Sequence, residues 1–129
     1  RSFFMIRTIA SIVVTFMIIL GVSFFETWYV QSTFSHFHQM LQALQNKSEL
    51  EIATYEDGTS LQKYWDEKKR WLHVWIPHSS LQEIDFQLDE AVGFLYVDDY
   101  EGALPKISVL LGLSEHIPGA YDYTIGNIF

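Results

Sequence analysis

TIASIVVTFMIILGVSFF, residues 8–25, carries no charged side chain. A helix of these 18 residues would rise about 27 Å, close to the hydrocarbon thickness of a bilayer. The stretch therefore reads as a membrane span, from which the rest of the chain hangs as a separate folded part.

Arg1 and Arg7 lie before the span, whereas no Lys or Arg occurs from Glu26 to Asn46 after it. The positive-inside rule then places the N-terminus in the cytoplasm and the remainder outside. Arg7 is expected to snorkel to the inner headgroups, and Trp28 and Tyr29 to sit at the outer interface. A cleaved signal peptide is the rival reading. It needs small residues at the cleavage site, where Phe24-Phe25-Glu26 stand instead, so an uncleaved anchor is favoured. A first residue of Arg rather than Met is what a trimmed or partly shown N-terminus would give.

Residues 1–25 thus form a cytoplasmic N-terminus with its anchor, and 26–129 one small extracytoplasmic domain. All 16 acidic residues and six of the eight basic ones follow residue 25, so the domain carries a net charge of −10. That balance argues against nucleic acid and against electrostatic docking on anionic lipid. With no cysteine, neither disulfides nor a thiolate zinc site can support the fold, and an apolar core rich in aromatics has to do so.

After the span, Val30, Phe34, Phe37, Leu41 and Leu44 recur at helical spacing. Neither Pro nor Gly interrupts this stretch, so the anchor is expected to run unbroken into the first helix of the domain, to about residues 45–50. A turn is expected around Asp57-Gly58-Thr59-Ser60, then a second helix from Leu61 to just before Pro77. Ser80-Leu81-Gln82-Glu83 has capping-box spacing and should open a third helix, with Leu81, Ile84, Leu88, Ala91, Val92 and Leu95 as its buried stripe. Asp98 and Asp99 are N-cap candidates for a fourth helix, which is either kinked at Pro105 or begins near Leu104. His116-Ile117-Pro118-Gly119 should end it and leave the last ten residues extended or turn-like. Short connections make neighbouring helices antiparallel, so the fold class is all-α: a bundle of about four helices continuous with the anchor. Glu56-Asp57-x-x-x-Leu61 and Asp98-Asp99-x-x-x-Ala103 hint at two related hairpins.

The residues Trp65-Asp-Glu-Lys-Lys-Arg-Trp71, His78-Ser-Ser-Leu-Gln-Glu-Ile-Asp85, Ala103-Leu104, His116-Ile-Pro118 and Asn127-Ile-Phe129 carry a resemblance to domain-of-unknown-function family 4363. These are small, membrane-anchored proteins of endospore-forming Firmicutes. The resemblance covers nearly the whole chain and implies location and architecture; the family brings no activity with it. It also implies an integral membrane partner, since members of the family are often encoded beside multi-pass proteins similar to the YetF type. Pro105 and Gly58-Thr59-Ser60 depart from the family pattern.

No catalytic constellation emerges. His36 and His38 face different sides of a helix, His73 and His78 straddle Pro77, and no HExxH occurs. Asp85 and Asp89, four apart on one helix, could act as an acid/base pair but also suit a solvated face. A metal-dependent enzyme or sensor using His78, His116 and these carboxylates is one alternative. A scaffold self-associating through Phe34, Phe37, Leu41 and Leu44 is another. Lys68-Lys69-Arg70, among Trp65, Trp71 and Trp75, could meet headgroups. Yet Lys63–Glu67, Asp66–Lys69 and Glu67–Arg70 have the spacing of ion pairs along one helix, which favours a solvated ionic face. No helical period requires His78, His116-Ile117-Pro118 or Asn127-Ile128-Phe129: either the histidines cap helix ends and the tail folds back over the bundle, or the tail is a docking element, in which case Trp71, His78, His116, Asn127, Ile128 and Phe129 are the expected partner-binding residues. The reading is of a non-enzymatic accessory protein without cofactor or metal.

Overall fold

The computed structural model describes residues 2–128, with side chains described for residues 2–119. Four helices follow one another: α1 (Ser2–Glu49), α2 (Tyr55–Leu72), α3 (His78–Tyr96) and α4 (Tyr100–Ile128). The chain divides into two compact units, Arg1–Val30 and Gln31–Phe129. In the first, α1 is long and apolar enough to cross a membrane, and none of its most apolar window is buried. Arg7 and Trp28 are exposed there, and the Phe25 ring lies 6.2 Å from Trp28 and 6.0 Å from Tyr29.

The second unit is a closed up-down-up-down bundle, and each of its seams runs antiparallel. Between α1 and α2, Tyr64 Oη donates to the Thr33 carbonyl and Lys47 pairs with Asp57. Between α2 and α3, Lys69 meets Asp85 and Gln62 meets Asp89. Lys106 pairs with Glu90 across α3 and α4, and His38 and Gln45 of α1 reach Ser114 and Ser108 of α4. Phe34, Phe37, Leu41 and Leu44 are buried inside. The stripe proposed for self-association is consumed by the chain's own core, where Phe34 and Phe37 lie 6.0 and 5.0 Å from Trp65.

The all-α bundle and its stripes follow the sequence; several boundaries do not. Residues 57–60 are helical, because the capping box forms at Thr54: its hydroxyl accepts from Asp57 N, and Asp57 accepts from Thr54 N. Gly58 serves close packing, for a Cβ there would meet Val92 at 3.0 Å and Leu95 at 3.2 Å. The second helix ends at Leu72, ahead of tight turns whose bonds include Val74 N to Trp71 O and Ile76 N to Leu72 O. α3 opens at His78 on Pro77, so Ser80 is inside the helix and makes no cap. α4 starts at Tyr100, where Asp99 caps it by accepting from Gly102 N at 3.0 Å. It continues through Pro105 and Pro118, and the expected end at His116–Gly119 and extended or turn-like tail are replaced by helix to Ile128. Each proline removes one helical hydrogen bond. The stripe Ala103, Ile107, Leu110, Ser114 and Pro118, buried along its length, keeps the helix in place. Asp57 is the third residue of α2 whereas Asp99 precedes α4, so the two proposed hairpin turns are not equivalent.

Candidate functional site

The α1–α2 and α3–α4 turns lie together, joined by Tyr100 Oη donating to the Ala53 carbonyl at 2.9 Å. Both turns end a helix in the same way. Ile52 N reaches back to Lys47 O and Asp99 N to Phe94 O, each closing around a residue in the left-handed region. Those residues are Glu51, φ 59°, and Asp98, φ 57°. Glycine adopts this conformation without penalty, whereas an L side chain costs about 1–2 kcal/mol. Two acidic residues are therefore held where glycine would fit without strain.

Around them, Glu49, Glu56, Asp99 and Glu101 are exposed, as are the large apolar groups Leu50, Ile52, Tyr96 and Val97. Tyr55 packs edge-on against Tyr96, ring centroids 5.1 Å apart. This end is an apolar patch rimmed by acid. Asp57, at its margin, is held below the ordinary carboxylate pKa first by the Thr54 backbone N–H, with partial burial opposing and Lys47 adding to the depression.

The residues expected to bind a partner are elsewhere. Trp71 and His78 flank the α2–α3 turn at the opposite end of the bundle; both are exposed, and His78 stacks on His73 at 5.3 Å. His116 is exposed on α4. The side chains of Asn127 and Ile128, and Phe129 as a whole, lie outside the described residues.

The carboxylate pair of α3 is engaged in packing. Asp85 Oδ1 accepts from the buried Trp65 indole at 2.7 Å, and Lys69 Nζ lies 3.1 Å from Oδ2, while Asp89 accepts from Gln62 at 2.9 Å. A serine–histidine–acid grouping occurs in a groove of about 460 Å³ between α1 and α4, lined by His38, Ser114 and Glu115. Ser114 donates to the Leu111 carbonyl at 2.7 Å, so it receives its 2.7 Å bond from His38 Nδ1–H. A buried hydroxyl fixed between those two partners is a structural strut. Glu115 stands 3.6 Å from the other ring nitrogen. Among the described residues, no three His, Asp or Glu side chains gather as metal ligands.

The acidic end was missed in the sequence, although Leu50-Glu51-Ile52 and Tyr96-Val97-Asp98-Asp99 both mix apolar and acidic residues at a helix terminus. His38 and Ser114, 76 residues apart, leave no local signal. The family model described as Domain of unknown function (DUF4363) matches residues 24–128. No curated protein and no solved structure matches the chain.

Proposed function

We propose, for a chain that belongs to the family described as Domain of unknown function (DUF4363), the role of a non-enzymatic, single-pass membrane accessory protein. Residues 8–25 anchor it with the N-terminus cytoplasmic. The acidic bundle outside binds and positions another integral membrane protein. The observation that carries this reading is the acid-rimmed apolar end, with Glu51 and Asp98 in left-handed backbone and Tyr96 and Val97 exposed. An exposed apolar centre with a charged rim is the composition of an interaction surface. Its predominantly negative charge would steer a partner bearing a basic rim.

A photo-crosslinking residue at Val97 of the full chain, in native membranes, should yield one discrete adduct with an integral membrane protein. The same probe at exposed Gln82 should yield none, and Tyr96→Ser should diminish the Val97 adduct. Mass spectrometry of the adduct identifies the partner and decides whether it is of the multi-pass YetF type. A lone monomer, with no adduct from Ile52, Tyr96 or Val97, would overturn the proposal.

A further inference from the structure

The end of the bundle opposite the acidic patch has different chemistry. Tyr64 Oη reaches the Thr33 carbonyl, and from that level α2 continues seven residues to Trp71, about 10 Å at the helical rise. The α2–α3 turn is thus at the end of the bundle where Gln31 begins the second unit. Trp71 is 61% and Val74 69% exposed, with Lys68 and Arg70 beside them in sequence. Of the ion pairs expected along α2, only Asp66–Lys69 forms among the described residues, at 3.6 Å. Arg70 has no ion pair among them, and it is exposed. Lys68 lies 5.7 Å over the Tyr64 ring.

We infer that the α2–α3 turn docks on the lipid headgroup layer, with Trp71 and Val74 entering the interface and Arg70 and Lys68 meeting headgroup phosphates. Two observations favour lipid over other occupants. An indole with an adjacent aliphatic group and cationic side chains is the composition that partitions to a bilayer interface. The tether is also short, for only five residues lie between Gln31 and Phe25, the last residue of the apolar stretch. That bounds their separation at about 20 Å in any conformation. The far end of the bundle, crowded with carboxylates, would be repelled by anionic headgroups.

This inference rests on the anchor reading, and the test reports on the two separately. Since the chain lacks cysteine, one nitroxide can be attached at Val14→Cys, Val74→Cys or Val97→Cys in the full chain reconstituted into phosphatidylcholine vesicles, with or without phosphatidylglycerol. Accessibility to oxygen and to a water-soluble nickel complex gives the depth of each label. Val14 should be deep, Val74 intermediate and Val97 aqueous, with Val74 deeper when phosphatidylglycerol is present and that increment lost in Arg70→Glu. A deep Val14 with Val74 as aqueous as Val97 overturns the docking and leaves the anchor. An aqueous Val14 overturns both. Immersion indifferent both to lipid charge and to Arg70→Glu overturns the phosphate contacts, and spin–spin broadening at Val74 that vanishes on lipid dilution assigns the surface to a second copy instead.

Discussion

Replacing Asp85 by Ala separates a structural carboxylate from a catalytic one. Asp85 accepts the indole N–H of Trp65 at 2.7 Å, and Trp65 is only 1% exposed, so truncating Asp85 leaves a buried indole N–H without its protein acceptor. A hydrogen bond to a charged acceptor contributes about 1.5–3 kcal/mol, and stranding a buried donor forfeits that amount. Lys69 adds less: its side chain is 27% exposed and keeps Asp66 at 3.6 Å, so the pair is worth about 1 kcal/mol or below. Together Asp85→Ala should destabilise the bundle by about 2–4 kcal/mol. For a domain of this size that is on the order of 10–25 °C in Tm. Asp85→Asn keeps an acceptor for the indole and should cost about half as much or less. Asp89→Ala, whose partner Gln62 sits at the surface, should cost about 0.5–1 kcal/mol.

The assay is thermal unfolding of the full chain in mild detergent, followed by circular dichroism and tryptophan fluorescence, with the micelle-embedded segment expected to stay helical as a constant baseline. An acid/base pair on an exposed face would give the opposite pattern, because removing a solvated carboxylate leaves stability unchanged. Equal effects at Asp85 and Asp89, or an Asp85→Ala bundle within about 0.5 kcal/mol of the parent, would refute the seam argument.

Gly58→Ala and Gly93→Ala should differ in sign by denaturant unfolding. Both gain about 1 kcal/mol of helix propensity, but a Cβ at Gly58 meets Val92 at 3.0 Å whereas Gly93 has nothing within 4 Å, so overpacking of about 1–3 kcal/mol reverses the gain only at Gly58. Thr54→Ala should cost about 1 kcal/mol by removing the cap of α2. Because the Asp57 pKa is depressed in the folded state, its stabilisation is full above the unfolded value and lost as pH falls through the folded one; the stability advantage over Asp57→Asn should therefore shrink below about pH 4. Glu51→Gly should raise stability by up to about 1 kcal/mol by relieving left-handed strain, while weakening the Val97 crosslink.

Where one physical signal dominated, the sequence was legible. The stripes of α1 and α3 were readable because apolar spacing alone determines which face is buried. Residues 57–60 misled because Gly followed by two hydroxyls serves a turn or a close helix crossing equally well. The reciprocal Thr54/Asp57 spacing was the better signal, with Asp taking the place of the usual Glu or Gln. Pro77 reads as a helix end, yet fixed φ and a missing N–H also make it a suitable residue before the first turn of α3. Pro118 fails as a stop for a tertiary reason: it is itself buried, in line with Leu110 and Ser114, and that packing outweighs one absent hydrogen bond. The acidic end needed the fold, since its two turns come from sequence positions 51 and 98 and meet only when α2 and α3 have packed antiparallel.

The same lesson applies to charge. A domain total of −10 argued against any approach to anionic lipid, but a total has meaning only over distances that screening leaves connected. At physiological ionic strength that distance is about 8 Å, whereas an 18-residue helix such as α2 is about 27 Å long. The two ends of the bundle are therefore separate electrostatic objects. One presents Glu51, Asp98, Asp99 and Glu101 around tyrosines; the other presents Lys68 and Arg70 around Trp71, with Asp66 and Glu67 exposed a turn back along α2. Even if every carboxylate at the first end were neutralised by a partner, the second would feel little change. Binding at the two ends is then independent in charge, and coupling between them would have to pass through the polar and aromatic contacts that run the length of α2, from Lys47–Asp57 to Lys69–Asp85.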